Sequence, residues 1–184
     1  MSSAPEVERV GEYRVRRVVY DADTIARRVA ELGGEITDAY PTGDLLILGL
    51  LKGSFIFTAD LVRAMGRPLQ VDFMVASSYG DATSSSGNVR LLYDPETDLA
   101  GKHVLVVEDI IETGRTLQRL LTLLASRQPA SLAVCALLDK KLAPPIPEVR
   151  FTGFECPRAF LVGYGLDYAE RYRHLPFIAE LAQE

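Results

Sequence analysis

Cysteine is scarce in this chain of 184 residues, and the two present are poorly placed for pairing. Cys135 lies within an apolar run and Cys156 just precedes a proline, with no disulfide or metal-ligand spacing between them. A disulfide framework and a zinc cluster are excluded, and both thiols are expected to be reduced. Histidine is equally rare: His103 and His174 are far apart and belong to no metal pattern, so each is read as structural. Positive charge is in deficit, 20 Lys and Arg against 25 Asp and Glu, for a formal charge of −5. That balance offers no footprint for nucleic acid or acidic lipid. No apolar stretch approaches membrane-spanning length, and Met1 to Arg9 lack the basic-then-apolar order of a leader. The expectation is a cytoplasmic protein that binds neither nucleic acid nor membrane.

What is present is enough apolar sequence for one core. Near-average apolar content and 24% charged residues predict a single domain over 1–184, with no room for a second. Ile25, Val29, Leu32 and Ile36 mark an amphipathic helix that Pro41 to Asp44 breaks. Leu45 to Leu51 is a short apolar run suited to a central parallel strand, followed by a helix from about Ser54 until Gly66 and Pro68. Further strands are predicted at Val71–Ala76, Val89–Tyr93, His103–Glu108, Leu132–Leu138 and Phe160–Tyr164, with a helix at 114–126. Alternation of strand and helix gives an α/β fold with a mainly parallel sheet, whose ligands bind beyond the carboxyl ends of the strands. Residues 77–88, rich in serine and glycine, read as a flexible loop.

The most informative segment is Glu108-Asp-Ile-Ile-Glu-Thr-Gly-Arg-Thr-Leu117. An apolar strand, His103 to Val107, delivers two adjacent carboxylates, and a glycine-containing, hydroxyl-rich turn leads into a helix marked by Leu117, Leu120, Leu121 and Leu124. The first N–H groups of such a helix lack partners and carry the positive end of its dipole, so they receive an anion without a basic side chain. Thr113 and Thr116 add hydroxyls, while Gly114 lets the backbone wrap a phosphate closely. The glycine–lysine–hydroxyl signature of triphosphate binders is absent. Carboxylates accept from sugar hydroxyls and ligate hard cations, so a phosphorylated ribose suits the segment.

In this order, these residues resemble the phosphoribosylpyrophosphate (PRPP) signature of the type I phosphoribosyltransferases. The likeness to their hypoxanthine-guanine branch extends through Leu51-Lys-Gly-Ser54, Val71-Asp-Phe73 with Ser78-Tyr79-Gly80, Leu137-Leu-Asp-Lys140, Phe160-Leu-Val-Gly-Tyr164, Leu166-Asp-Tyr168 and Arg173. The resemblance implies the type I fold, with a small hood from the chain ends beside the main sheet. It implies transfer of the 5-phosphoribosyl group from PRPP to hypoxanthine or guanine, giving IMP or GMP and pyrophosphate with the help of Mg2+. It further implies that Ile110, Ile111, Thr113, Gly114, Arg115 and Thr116 cradle the 5′-phosphate, and that Lys52, Gly53 and Arg173 hold pyrophosphate, often with a cis peptide before the lysine. Glu108 and Asp109 would serve the ribose and the metal, Asp167 the metal and the exocyclic amino group of the purine, and Ser78 and Tyr79 a lid. Phe160 would stack on the purine, the Leu161 backbone would pair with its edge, and Lys140 would donate to the 6-oxo group, with Lys141 leaving that register open by one position.

One position departs from the resemblance. Glu112 stands where these enzymes usually carry aspartate as the proposed general base, so its carboxylate is displaced by about an ångström. The rival expectations are a preference for xanthine or another nucleobase, and a non-catalytic PRPP sensor. Assembly as a homodimer or homotetramer is also implied.

Overall fold

The computed structural model describes residues 13–78 and 89–183. In chain order the elements are β1 (Tyr13–Tyr20), α1 (Ala22–Ala39), β2 (Leu45–Leu51), α2 (Phe55–Ala64), β3 (Gln70–Ser78), β4 (Val89–Tyr93), β5 (His103–Ile111), α3 (Arg115–Ala125), β6 (Ser131–Asp139), β7 (Val149–Glu155), β8 (Phe160–Val162) and β9 (Ile178–Gln183). Six strands form the main sheet in the order β4-β3-β2-β5-β6-β7, parallel throughout except for edge strand β4.

Side chains alternate across a strand, so the unbroken apolar runs of the central strands supply two cores at once. Leu45, Ile47, Leu105 and Cys135 pack with Ile25, Leu32 and Ile36 of α1 and with Phe57 and Leu61 of α2. Leu46, Leu48, Val104, Val106 and Val134 point the other way, onto Leu117, Leu120, Leu121 and Leu124 of α3. Truncating one of these leucines to alanine typically costs about 2–5 kcal/mol. Asp21 starts α1 by accepting the Thr24 N–H at 2.7 Å, and α1 gives way at Tyr40, before Pro41. Among the described residues no helix is long and apolar enough to cross a membrane.

A second sheet, antiparallel β1-β9-β8, is the expected hood from the chain ends. Glu180 of β9, 9% exposed, accepts from Arg16 at 2.9 Å and Arg17 at 2.8 Å, tying one end of the chain to the other.

Three strands escaped the sequence reading. Arginines interrupt the alternation of β1, and its partner β9 is about 160 residues away, so neither signals itself locally. β7 is a sheet edge packed chiefly on one side. Strand β5 also outruns its predicted end at Glu108, because pairing with β6 continues through Ile110↔Leu138 and Ile111↔Asp139. The loop assigned as a lid lies outside the described residues except for the backbone of Ser77 and Ser78 at the end of β3; Tyr79 falls outside them. Parallel β2, β5 and β6 end along one edge, at Leu51, Ile111 and Asp139, and that edge positions the site.

Candidate active site

Between β5 and α3 the chain turns through Glu112, Thr113 and Gly114. Gly114 caps the helix with φ 66°, a left-handed conformation that disfavours any Cβ. A Cβ there would also lie 2.6 Å from Cδ1 of Ile146, a buried residue of the β6–β7 loop that presses on the turn. The first bond of this register runs from the Gln118 N–H to the Gly114 carbonyl at 2.9 Å, so the amides of Arg115, Thr116 and Leu117 precede the helical ladder. They border a cavity of about 350 Å³ lined by Glu108, Glu112, Thr113, Gly114 and Thr116, within the size range of small-ligand sites.

Glu108 and Asp109 sit within β5, where consecutive side chains should diverge. Pairing with β2 stops at Gly49↔Val107, so the strand opens on that flank at Glu108 while β6 still supports the other. Both side chains therefore reach a second cavity of about 450 Å³, bounded also by Lys52, Thr116, Asp167 and Arg173. Glu108 and Thr116 line both cavities, making one continuous trough. The Glu108 pKa is pushed well above the ordinary carboxylate value, first by burial and then by the Asp109 carboxylate. Asp109 is held by accepting the Ile110 N–H at 2.8 Å.

On the far wall, β2 leaves the sheet through a cis Leu51–Lys52 peptide and Gly53. A Cβ on Gly53 would fall 1.6 Å from Asp109 Oδ2, so the absence of a side chain is what lets the two segments meet. The 163–173 segment closes over them: a Cβ on Gly165 would lie 2.1 Å from the Gly53 carbonyl oxygen. Arg173 donates to the Gly165 carbonyl at 2.8 Å and pairs with Asp167 at 2.9 Å. Lys52 and Arg173 both reach Glu170, at 3.1 and 3.2 Å. These two cations hold the Glu170 pKa below the ordinary carboxylate range, Lys52 foremost. Glu170 escaped the sequence reading; its only signal was its place between Asp167 and Arg173.

At the other end, Lys140 donates to Glu112, and its side chain is 9% exposed. Lys141, with φ 52°, turns away to Asp139 at 2.8 Å and Glu155 at 3.7 Å. Of the two lysines whose register was open, Lys140 is the one facing the turn. Phe160 opens β8 half exposed, with Tyr168 edge-on at 5.7 Å between ring centres. The Leu161 side chain is buried and its backbone pairs opposite Glu180, so both residues stand on the hood rather than in the wall of either cavity. Among the described residues no group of three or more His, Cys, Asp or Glu side chains is gathered to hold a metal unaided.

The chain matches the Phosphoribosyl transferase domain family over residues 17–169. It is 48% identical over 160 residues to the hypoxanthine phosphoribosyltransferase of Salmonella typhimurium, covering 85% of this chain and 90% of that one. It is also 48% identical over 174 residues to the hypoxanthine-guanine phosphoribosyltransferase of Mycobacterium avium, covering 91% and 86%. Among solved structures, a hypoxanthine phosphoribosyltransferase from Staphylococcus aureus superposes with a TM-score of 0.86 at 40% identity, over 91% of this chain and 92% of that one. A hypoxanthine-guanine phosphoribosyltransferase from Bacillus anthracis gives 0.85 at 36% identity, over 92% and 99%.

Proposed function

The chain belongs to the phosphoribosyltransferase family, and from that membership and the form of its trough we propose that it serves purine salvage, moving the 5-phosphoribosyl group of PRPP to hypoxanthine or guanine. The observation that carries the reading is the junction at Glu108 and Thr116, where the helix-start turn and the cavity holding Lys52 and Arg173 share their lining. Laid along it, the donor has its 5′-phosphate on the amides of residues 114–117, its ribose over Glu108 and Asp109, and its pyrophosphate against Lys52, Gly53 and Arg173.

In the reaction the C1′–O bond to pyrophosphate breaks, its electron pair leaving with the oxygen, and a C1′–N bond to the purine forms. Positive charge grows on the ribose as the first bond lengthens, and the carboxylates beneath it favour that charge. Glu112 takes up the proton that the ring nitrogen must lose, a contribution typically of about 10²–10⁴-fold. Because Glu112 already accepts from Lys140, the base enters by exchanging partners: Lys140 turns its ammonium to the 6-oxo group and frees the carboxylate. An ammonium has donors only, so it favours an oxo purine over adenine. Phe160 offers its exposed ring to the base, and the Leu161 backbone its edge.

Glu108, Asp109 and Asp167 are hard oxygen donors that would hold Mg2+ only together with oxygens of the donor, since among the described residues no three such side chains are gathered around one point. Bound there, the ion would neutralise charge on the leaving pyrophosphate. Two free, buried cysteines fit the reducing cytoplasm as the setting. Exposed Val71, Leu92 and Tyr93 along β3 and β4 offer apolar surface for a homodimer or homotetramer.

Pyrophosphate release measured with hypoxanthine, guanine, xanthine and adenine tests the reading. Release with the first two and little with adenine is expected. Preference for xanthine would reassign the acceptor, and PRPP binding without release would make the protein a sensor.

A further inference from the structure

Glu170 belongs to none of the roles assigned above, yet it occupies the middle of the cation pair. Its backbone is left-handed, with φ 63°, and its N–H donates to Asp167 Oδ2 at 2.9 Å. The carboxylate then accepts from Lys52 Nζ at 3.1 Å through one oxygen and from Arg173 Nη2 at 3.2 Å through the other. The side chain lines the same cavity as Lys52, Asp109 and Arg173.

These contacts are not what holds the segment in place. Glu170 is 64% exposed, and an ion pair so open to water adds little to stability. Arg173 is fixed independently by the Gly165 carbonyl and by Asp167. Backbone bonds between Gly163 and Leu166 and between Tyr168 and Arg171 fold the loop without the Glu170 side chain. Two carboxylate oxygens bridging two cations make the same kind of contact that two oxygens of a diphosphate would make.

We propose that Glu170 is an internal stand-in for pyrophosphate: it pairs Lys52 and Arg173 while the cavity lacks an anion, and it is displaced by, and competes with, the diphosphate end of the donor. The inference rests on the transferase reading given above. Its consequence is a loss of affinity that speeds the departure of the product from the Lys52–Arg173 pair. Displaced from both cations, the carboxylate swings outward, since more than half of the side chain already faces water.

Calorimetric titration of inorganic pyrophosphate and, separately, of IMP into the full-length protein and its Glu170→Gln variant tests this, with Mg2+ present throughout. Removing a competitor worth two exposed ion pairs should tighten pyrophosphate about threefold to tenfold and lower the KM for PRPP in parallel. IMP affinity and the KM for hypoxanthine should not move, because neither ligand needs the Lys52–Arg173 pair. In a Lys52→Met background the gain from Glu170→Gln should shrink, since half of the competition is already gone. Unchanged or weaker pyrophosphate binding, an equal gain for IMP, or a full gain without Lys52 would each overturn the role of Glu170. Absence of transfer by the unmutated protein with every purine would instead remove the transferase reading on which it stands.

Discussion

On the proposed reading, the two ends of the trough receive anions by different means. At the phosphate turn the work falls to main-chain amides on a helix start, fixed by a left-handed glycine and backed by Ile146. At the proposed pyrophosphate end it falls to Lys52 and Arg173, which share Glu170, with Asp167 also pairing Arg173. Amide dipoles are built in once the backbone folds and cost nothing further to orient, whereas side-chain cations carry a counter-charge that a ligand then has to displace. The first design suits a group that stays bound from donor to nucleotide; the second suits a group that must depart.

Glu112→Gln should have the largest effect and sharpens the comparison by sparing both ends. Turnover is expected to fall by about 10²–10⁴-fold while pyrophosphate and IMP still bind, because proton acceptance is lost and Lys140, released from its ion pair, still faces the base. Steady-state kinetics beside calorimetry gives the check, and equal activity would strip Glu112 of its role.

Next come the two glycines, as a matched pair. Gly53→Ala must drive Asp109 aside, and Gly114→Ala must strain the turn against Ile146, so each is expected to lower kcat/KM by roughly a hundredfold. The losses should separate by ligand: Gly53→Ala weakens pyrophosphate more than IMP, and Gly114→Ala the reverse. Both variants weakening both ligands alike would break the distinction between the ends.

Salt gives a smaller contrast. Raising NaCl from about 0.05 to about 0.5 M shortens the screening length, and pyrophosphate should lose several-fold more affinity than IMP. Parallel slopes would mean that side-chain charge matters equally at both ends.

The smallest effect concerns Glu108, which serves both cavities. Its folded pKa is raised by burial and by Asp109, so the stability linked to its proton is full below the ordinary carboxylate value and is lost as pH rises through the raised one. Glu108→Gln should escape that loss and melt about 2–4 °C higher at neutral pH, the shift that ~1 kcal/mol produces in a chain of this size. The same variant should bind PRPP more weakly. A lower melting temperature at neutral pH would contradict the assigned sign.

The decamer shows how far local reading reaches. Strand, acidic pair, glycine turn and leucine helix lie within one contiguous stretch, and each is set by interactions over a few residues: alternation, dipole, backbone freedom, helical spacing. The pyrophosphate end lacks that property. Lys52 and Glu170 are 118 positions apart, and nothing in either neighbourhood announces the other. The same holds for β1 and β9, whose pairing spans nearly the whole chain.

Order in the sequence thus determined the parallel sheet, the helices on its faces and the glycine turn between β5 and α3, because those follow from periodicity and from the conformational range of single residues. Only the tertiary structure decided that β2 would part from β5 at Glu108, that Gly53 would touch Asp109, that Lys140 rather than Lys141 would face Glu112, and that Glu170 would sit between two cations. Those outcomes depend on where separate segments end in space, which is fixed by packing and strand register across the whole sheet and is encoded in no single stretch of the chain.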